Sequence, residues 1–147
     1  MQALLMPHHS LALLGGEPGA LALAHPANAT FGWALVLAGF ASGALLGLGF
    51  HREGFLGGYG SLRRRLLRLG HIAFIALGLL NVVYAIYPAP ASGTAAAAVA
   101  GIGLMVGGVS MPVACVLAAW REPLRCLFPI PVIALLASVI ALLSGGV

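Results

Sequence analysis

Four long apolar runs, at about residues 30–50, 66–87, 94–120 and 127–144, are separated only by short polar breaks. Each is long enough to cross about 30 Å of hydrocarbon at roughly 1.5 Å per residue. Inside lipid a backbone N–H or C=O finds no water, so each segment must satisfy its own backbone, and a helix does so. The runs predict an all-α membrane protein: a four-transmembrane-helix bundle forming one domain over residues 30–147. Residues 1–29 precede it as a surface or interfacial tail.

The charge content agrees. Only 7% of the residues are charged and 61% are hydrophobic, whereas a soluble domain averages about 25% charged. So few charges cannot cover a water-facing surface, so lipid is the solvent for most of the outside. The breaks between runs are chemically apt. "HREGFLGGYGSLRRR" is polar, glycine-rich and charged, and "YPAPASGT" combines proline, glycine and serine, which interrupt helices. "WREPLRC" closes the third run, and Pro129 and Pro131 fall at the start of the fourth, where a missing N–H costs least.

The basic residues set an orientation. All seven are arginines. Arg52, Arg63, Arg64, Arg65 and Arg68 lie between or just inside runs one and two, and Arg121 and Arg125 lie between runs three and four. With four spans, every arginine falls on one side. The positive-inside rule makes that side cytoplasmic and puts both termini on the non-cytoplasmic side, as in a bacterial inner membrane. Arg63, Arg64, Arg65, Arg68, Arg121 and Arg125 are then expected to hold anionic lipid headgroups. The formal charge of +4 is thereby assigned to membrane anchoring, not to nucleic acid. Trp33, Tyr84, Tyr87 and Trp120 fall near span ends, as in an aromatic belt.

The tail carries an A-x-A pattern over Ala22 to Ala24. Residues 1–24 hold no basic residue, and "PHH" and "GGEPG" break their apolar runs, so the segment is read as retained. Cys115 and Cys126 form no C-x-x-C pair, which excludes a dithiol redox motif.

Small residues mark helix contacts. Gly39, Gly43 and Gly47 recur every fourth position in the first run, and Gly103 and Gly107 do so in the third. Such faces let helices approach closely. Pro112, inside the third run, is expected to kink it and free the Gly108 carbonyl beside Ser110.

The second run carries the chemistry. Arg64, Arg68, His71, Gly78, Asn81 and Tyr84 recur at spacings of three, four or seven, which places them on one helical stripe. Lipid penalises such a stripe, so His71, Asn81 and Tyr84 are expected to face protein, ligand or water, with Ser110 of the third run as a further polar group. His71 is the one strongly ionisable residue well inside a span.

Four readings follow. In the first, His51 and His71 ligate a haem b, with glycines giving the macrocycle room and Arg64 and Arg68 holding its propionates; haem b is a candidate, and the sequence leaves the cofactor otherwise unknown. In the second, His51, Glu53 and His71 hold a transition metal. His8 and His9, outside the spans, are read as interfacial residues without a ligand, a weak copper or zinc site being the alternative. In the third, copies assemble into a transporter or channel lined by His71, Asn81 and Ser110. The fourth is an enzyme acting on lipid or quinone, ranked last because no acid–base pair, phosphate loop or metal motif is present. The composition favours a non-catalytic protein: an accessory or assembly subunit of a larger membrane complex of electron-transfer or respiratory type. Its partners would be membrane lipid and other membrane subunits or copies of itself.

Overall fold

A computed structural model describes residues 23–86 and 95–144. It contains four long helices, α1 (Pro26–Gly49), α2 (Leu62–Ile86), α3 (Ala95–Trp120) and α4 (Pro129–Ser144), and no strand among the described residues. Each of the four segments is long and apolar enough to cross a membrane, the last when counted from Glu122 to Ser144. The 3₁₀ turn Glu122–Leu127 leads directly into α4.

Local chemistry sets the boundaries. α1 starts at Pro26, ahead of the expected Thr30, because proline at the first helical position has its φ preset and no N–H to satisfy. Asn28 therefore belongs to the first turn of α1 and not to the tail. α2 starts at Leu62, ahead of the expected Leu66, because the Ser61 hydroxyl accepts the Arg64 N–H at 3.2 Å and caps the helix. The same hydroxyl donates to the Leu56 carbonyl at 2.6 Å and so closes the turn before it. In that turn Gly57 and Gly58 both have φ of 86°, a conformation that glycine adopts at no steric cost.

The helices pack in chain order: α1 on α2, α2 on α3, and α3 on α4, with a smaller contact between α1 and α3. No substantial α1–α4 contact closes the ring, so the bundle is open along one side. Glycines seat the first two contacts. A Cβ on Gly32 would lie 2.6 Å from the Gly78 carbonyl oxygen, and one on Gly78 would lie 2.7 Å from that of Gly32. The α1 and α2 backbones thus touch at this crossing. Gly70 of α2 meets the backbone of Pro112 and the side chain of Cys115 on α3. Pro112 lies buried inside a continuous α3.

Of the glycines expected to pack, Gly39 receives Ile75, Gly43 receives the His71 ring, Gly103 receives Ser138, and Gly107 receives Leu135. Gly47 has nothing within 4 Å and packs on no neighbouring helix. The four-residue spacing ran past the contact, because steps of four advance about 40° each round a helix of 3.6 residues per turn. The surface left over is apolar, as lipid contact requires; Leu37, Phe40, Leu45, Leu48, Ile133 and Leu143 are among the exposed side chains.

Candidate functional site

The polar groups on α2 form two separate sets, one at each end of the helix. The set remote from the arginines centres on Asn81, which is fully buried, and Asn28, which is 5% exposed. The Asn28 amide donates to the Asn81 side-chain oxygen at 2.8 Å and to the Gly101 carbonyl at 3.1 Å. The Asn81 amide donates to the Leu77 carbonyl at 2.9 Å and to the Leu104 carbonyl at 3.2 Å. Tyr84 is also buried; its hydroxyl donates to the Ala97 carbonyl at 2.7 Å, and its ring stacks on His25 at 4.3 Å between centroids. Tyr84 is therefore an internal helix tie and not an interfacial belt residue. Tyr87 and the histidines His8 and His9 lie outside the described residues.

Asn28 and His25 are the members that sequence reasoning missed. The signal was the asparagine in "PANAT". Read as tail it needs no partner, but in the first turn of a span it does.

His71 occupies the middle of the α1–α2 contact, half-buried. Its Nδ1 lies 2.8 Å from the Gly39 carbonyl oxygen, which also accepts the Ser42 hydroxyl at 2.9 Å. A carbonyl only accepts, so Nδ1 donates in this contact. The ring edge lies where a side chain on Gly43 would stand, its Cε1 atom 2.5 Å from that Cβ position.

These contacts bear on haem b. The space beside Gly39 and Gly43 is filled by Ile75 and His71, which leaves no slot for a planar macrocycle between α1 and α2. His51 is exposed in the turn after α1, and no contact joins it to His71. The pair does not fit a bis-histidine haem in this packing. No group of three or more His, Cys, Asp or Glu residues able to hold a metal occurs among the described residues, so His51, Glu53 and His71 do not assemble one either.

Within one chain, the groups expected to line an oligomeric channel are engaged separately. His71 bonds to α1, Asn81 bonds within the α1–α2–α3 cluster, and the Ser110 hydroxyl bonds to Val106 of its own helix at 2.6 Å. Ser110 therefore does not engage the Gly108 carbonyl. A cleft of about 290 Å³ between α2, α3 and α4, lined by Leu80, Val83, Tyr84, Leu104 and Val139, is apolar, and the Tyr84 hydroxyl is engaged by the Ala97 carbonyl.

The arginine end divides the cations that sequence reading treated alike. Arg63 reaches α3: its Nε donates to the Ala119 carbonyl at 3.1 Å and its guanidinium lies 4.7 Å from the Trp120 ring centroid. Arg64 is buried, 8% exposed, with its guanidinium 4.5 Å from the Phe50 centroid and 5.2 Å from that of Tyr59. Arg68 also lies 5.2 Å from the Tyr59 centroid. Arg52, Arg65 and Arg121 are exposed, and Arg125 pairs with Glu122 at 3.5 Å. Of the six arginines expected at headgroups, Arg64 is thus enclosed by protein and Arg63 serves as a tie between helices.

The chain matches no known protein family, no curated protein and no solved structure. What it can do is read from its own residues.

Proposed function

We propose that this chain is a small accessory or assembly subunit of a larger membrane complex. It would lie in a bacterial inner membrane, with its arginine end cytoplasmic and both termini on the far side. The observation that carries the reading is the fate of the polar groups on α2. Asn81, Tyr84 and His71 each bond to a backbone carbonyl of another helix. They hold the helices together, and no group of three or more His, Cys, Asp or Glu able to hold a metal occurs among the described residues. With Asn81, Tyr84 and His71 engaged as helix ties, we read the chain as acting through what it touches. The orientation rests on the arginine distribution alone. Within this reading a haem-bearing subunit has no support from the face at Gly43, which the His71 ring fills.

The test is purification of the tagged chain from its native membrane in mild detergent, with mass spectrometry of the associated subunits and an absorbance spectrum. Stoichiometric co-purification of one or more membrane subunits is expected. A monodisperse particle containing this chain alone, from membranes cross-linked before extraction, would sink the reading.

A further inference from the structure

The turn between α1 and α2 gathers positive charge, and its one carboxylate, the exposed Glu53, makes no ion pair with the arginines around it. α2 opens with Arg63, Arg64 and Arg65 in its first turn and has no acidic residue there. The N-terminus of a helix is already its positive end, so these cations add to the unfavourable side of the dipole. Arg64 is more than nine-tenths buried, its Nε has no hydrogen-bond partner, and no carboxylate pairs with it among the described residues. A buried guanidinium keeps its charge and is costly to leave unpaired. Arg68, one turn further on, is held against the same Tyr59 ring, so the two cations lie within roughly one Debye length, about 8–10 Å, and repel. The ring contacts offset only part of this, since a cation–π contact is worth about 0.5–2 kcal/mol.

We infer that this turn is an anion site, in which Arg64 and Arg68 beside Tyr59 take one phosphate group. Phosphate suits the arrangement because its several anionic oxygens can accept from two guanidinium forks at once. Tyr59, on whose ring both guanidinium groups lie, is 71% exposed, so the site is reached from outside the protein. The phosphate is that of an anionic lipid headgroup or a free phosphate ion. The inference is independent of the accessory-subunit reading, because it concerns a bound anion and not a protein partner.

The experiment uses the full chain in a neutral detergent and follows its thermal unfolding by tryptophan fluorescence. Phosphatidylglycerol, phosphatidylcholine and inorganic phosphate are titrated separately at fixed ionic strength. A ligand that binds the folded state raises the unfolding midpoint with its concentration. Phosphatidylglycerol or inorganic phosphate is expected to do so and phosphatidylcholine is not. A shift with lipid alone assigns the headgroup, and an equal shift with phosphate assigns the free ion. Arg64→Gln and Arg68→Gln should weaken the apparent affinity at least about tenfold, the worth of one charge-assisted hydrogen bond. Arg65→Gln removes the same charge from an exposed neighbour and should leave the affinity within about twofold, because exposed charges contribute little. If Arg64→Gln does not fold, Arg68→Gln decides. Equal losses in Arg65→Gln and Arg68→Gln would mean a diffuse surface field and overturn the site, as would no midpoint shift with either anion.

Discussion

The Asn28 amide donates to the Asn81 side-chain oxygen across 2.8 Å, joining the first turn of α1 to α2 where neither side chain meets solvent. Their remaining donors go to the Gly101, Leu77 and Leu104 carbonyls, so the pair ties three helices together. A carboxamide left alone in an apolar interior is costly, and its partner suffers when it is removed.

Asn28→Leu and Asn81→Leu should each lower stability by about 1–2 kcal/mol. The double variant should lose less than the sum, because the second change removes a group the first had already orphaned. Unfolding of the detergent-solubilised protein in increasing denaturing detergent measures both. Strict additivity would show that the two amides act separately.

The Gly32–Gly78 crossing predicts a contrast among glycines. Gly78→Ala inserts a methyl against the Gly32 backbone, which cannot move aside as a side chain would. It should destabilise by about 1–3 kcal/mol, although alanine gains up to about 1 kcal/mol over glycine in helix preference. Gly47→Ala meets nothing within 4 Å and should be neutral or stabilising. Thermal unfolding of the two variants side by side checks the ranking.

His71 predicts a spectroscopic negative. With its ring against Gly43 and its Nδ1 at the Gly39 carbonyl, the purified chain should develop no bis-histidine Soret band when haemin is added. A Soret band that disappears in His71→Ala would reverse this conclusion and reopen the α1–α2 interface to a cofactor.

Arg63 predicts a local loosening. Its Nε caps a carbonyl in the last turn of α3, where the helix leaves acceptors unpaired and its dipole favours a cation. Arg63→Ala should cost about 0.5–1.5 kcal/mol and change the fluorescence of Trp120, on whose face the guanidinium lies. Trp33, near the start of α1 and therefore at the other end of the bundle, should be unaffected, which the Trp33→Phe background resolves.

The α2 stripe was legible because period and polarity coincide: residues three, four or seven apart share a face whatever the fold. The function of each member was not. Sequence spacing treated Arg63, Arg64 and Arg68 as equal anchors, whereas packing buries one, ties one to α3 and leans one on Tyr59. The glycine series in α1 was legible as a contact face, but its range was not, because spacing carries no record of which positions the neighbouring helix covers.

The sequence by itself determined that four helices are long and apolar enough to cross a membrane, which follows from hydrophobicity summed along the chain, and where the arginines fall between them. Tertiary structure alone decided the rest: that α1 and α2 touch at Gly32 and Gly78, that Asn28 finds Asn81, and that His71 fills the gap at Gly43. Transfer from water into lipid is additive over residues and can be read from one dimension. Hydrogen bonds and backbone contacts depend on which atoms meet within about 3 Å, and residues 53 positions apart, such as Asn28 and Asn81, meet only when the helices are packed.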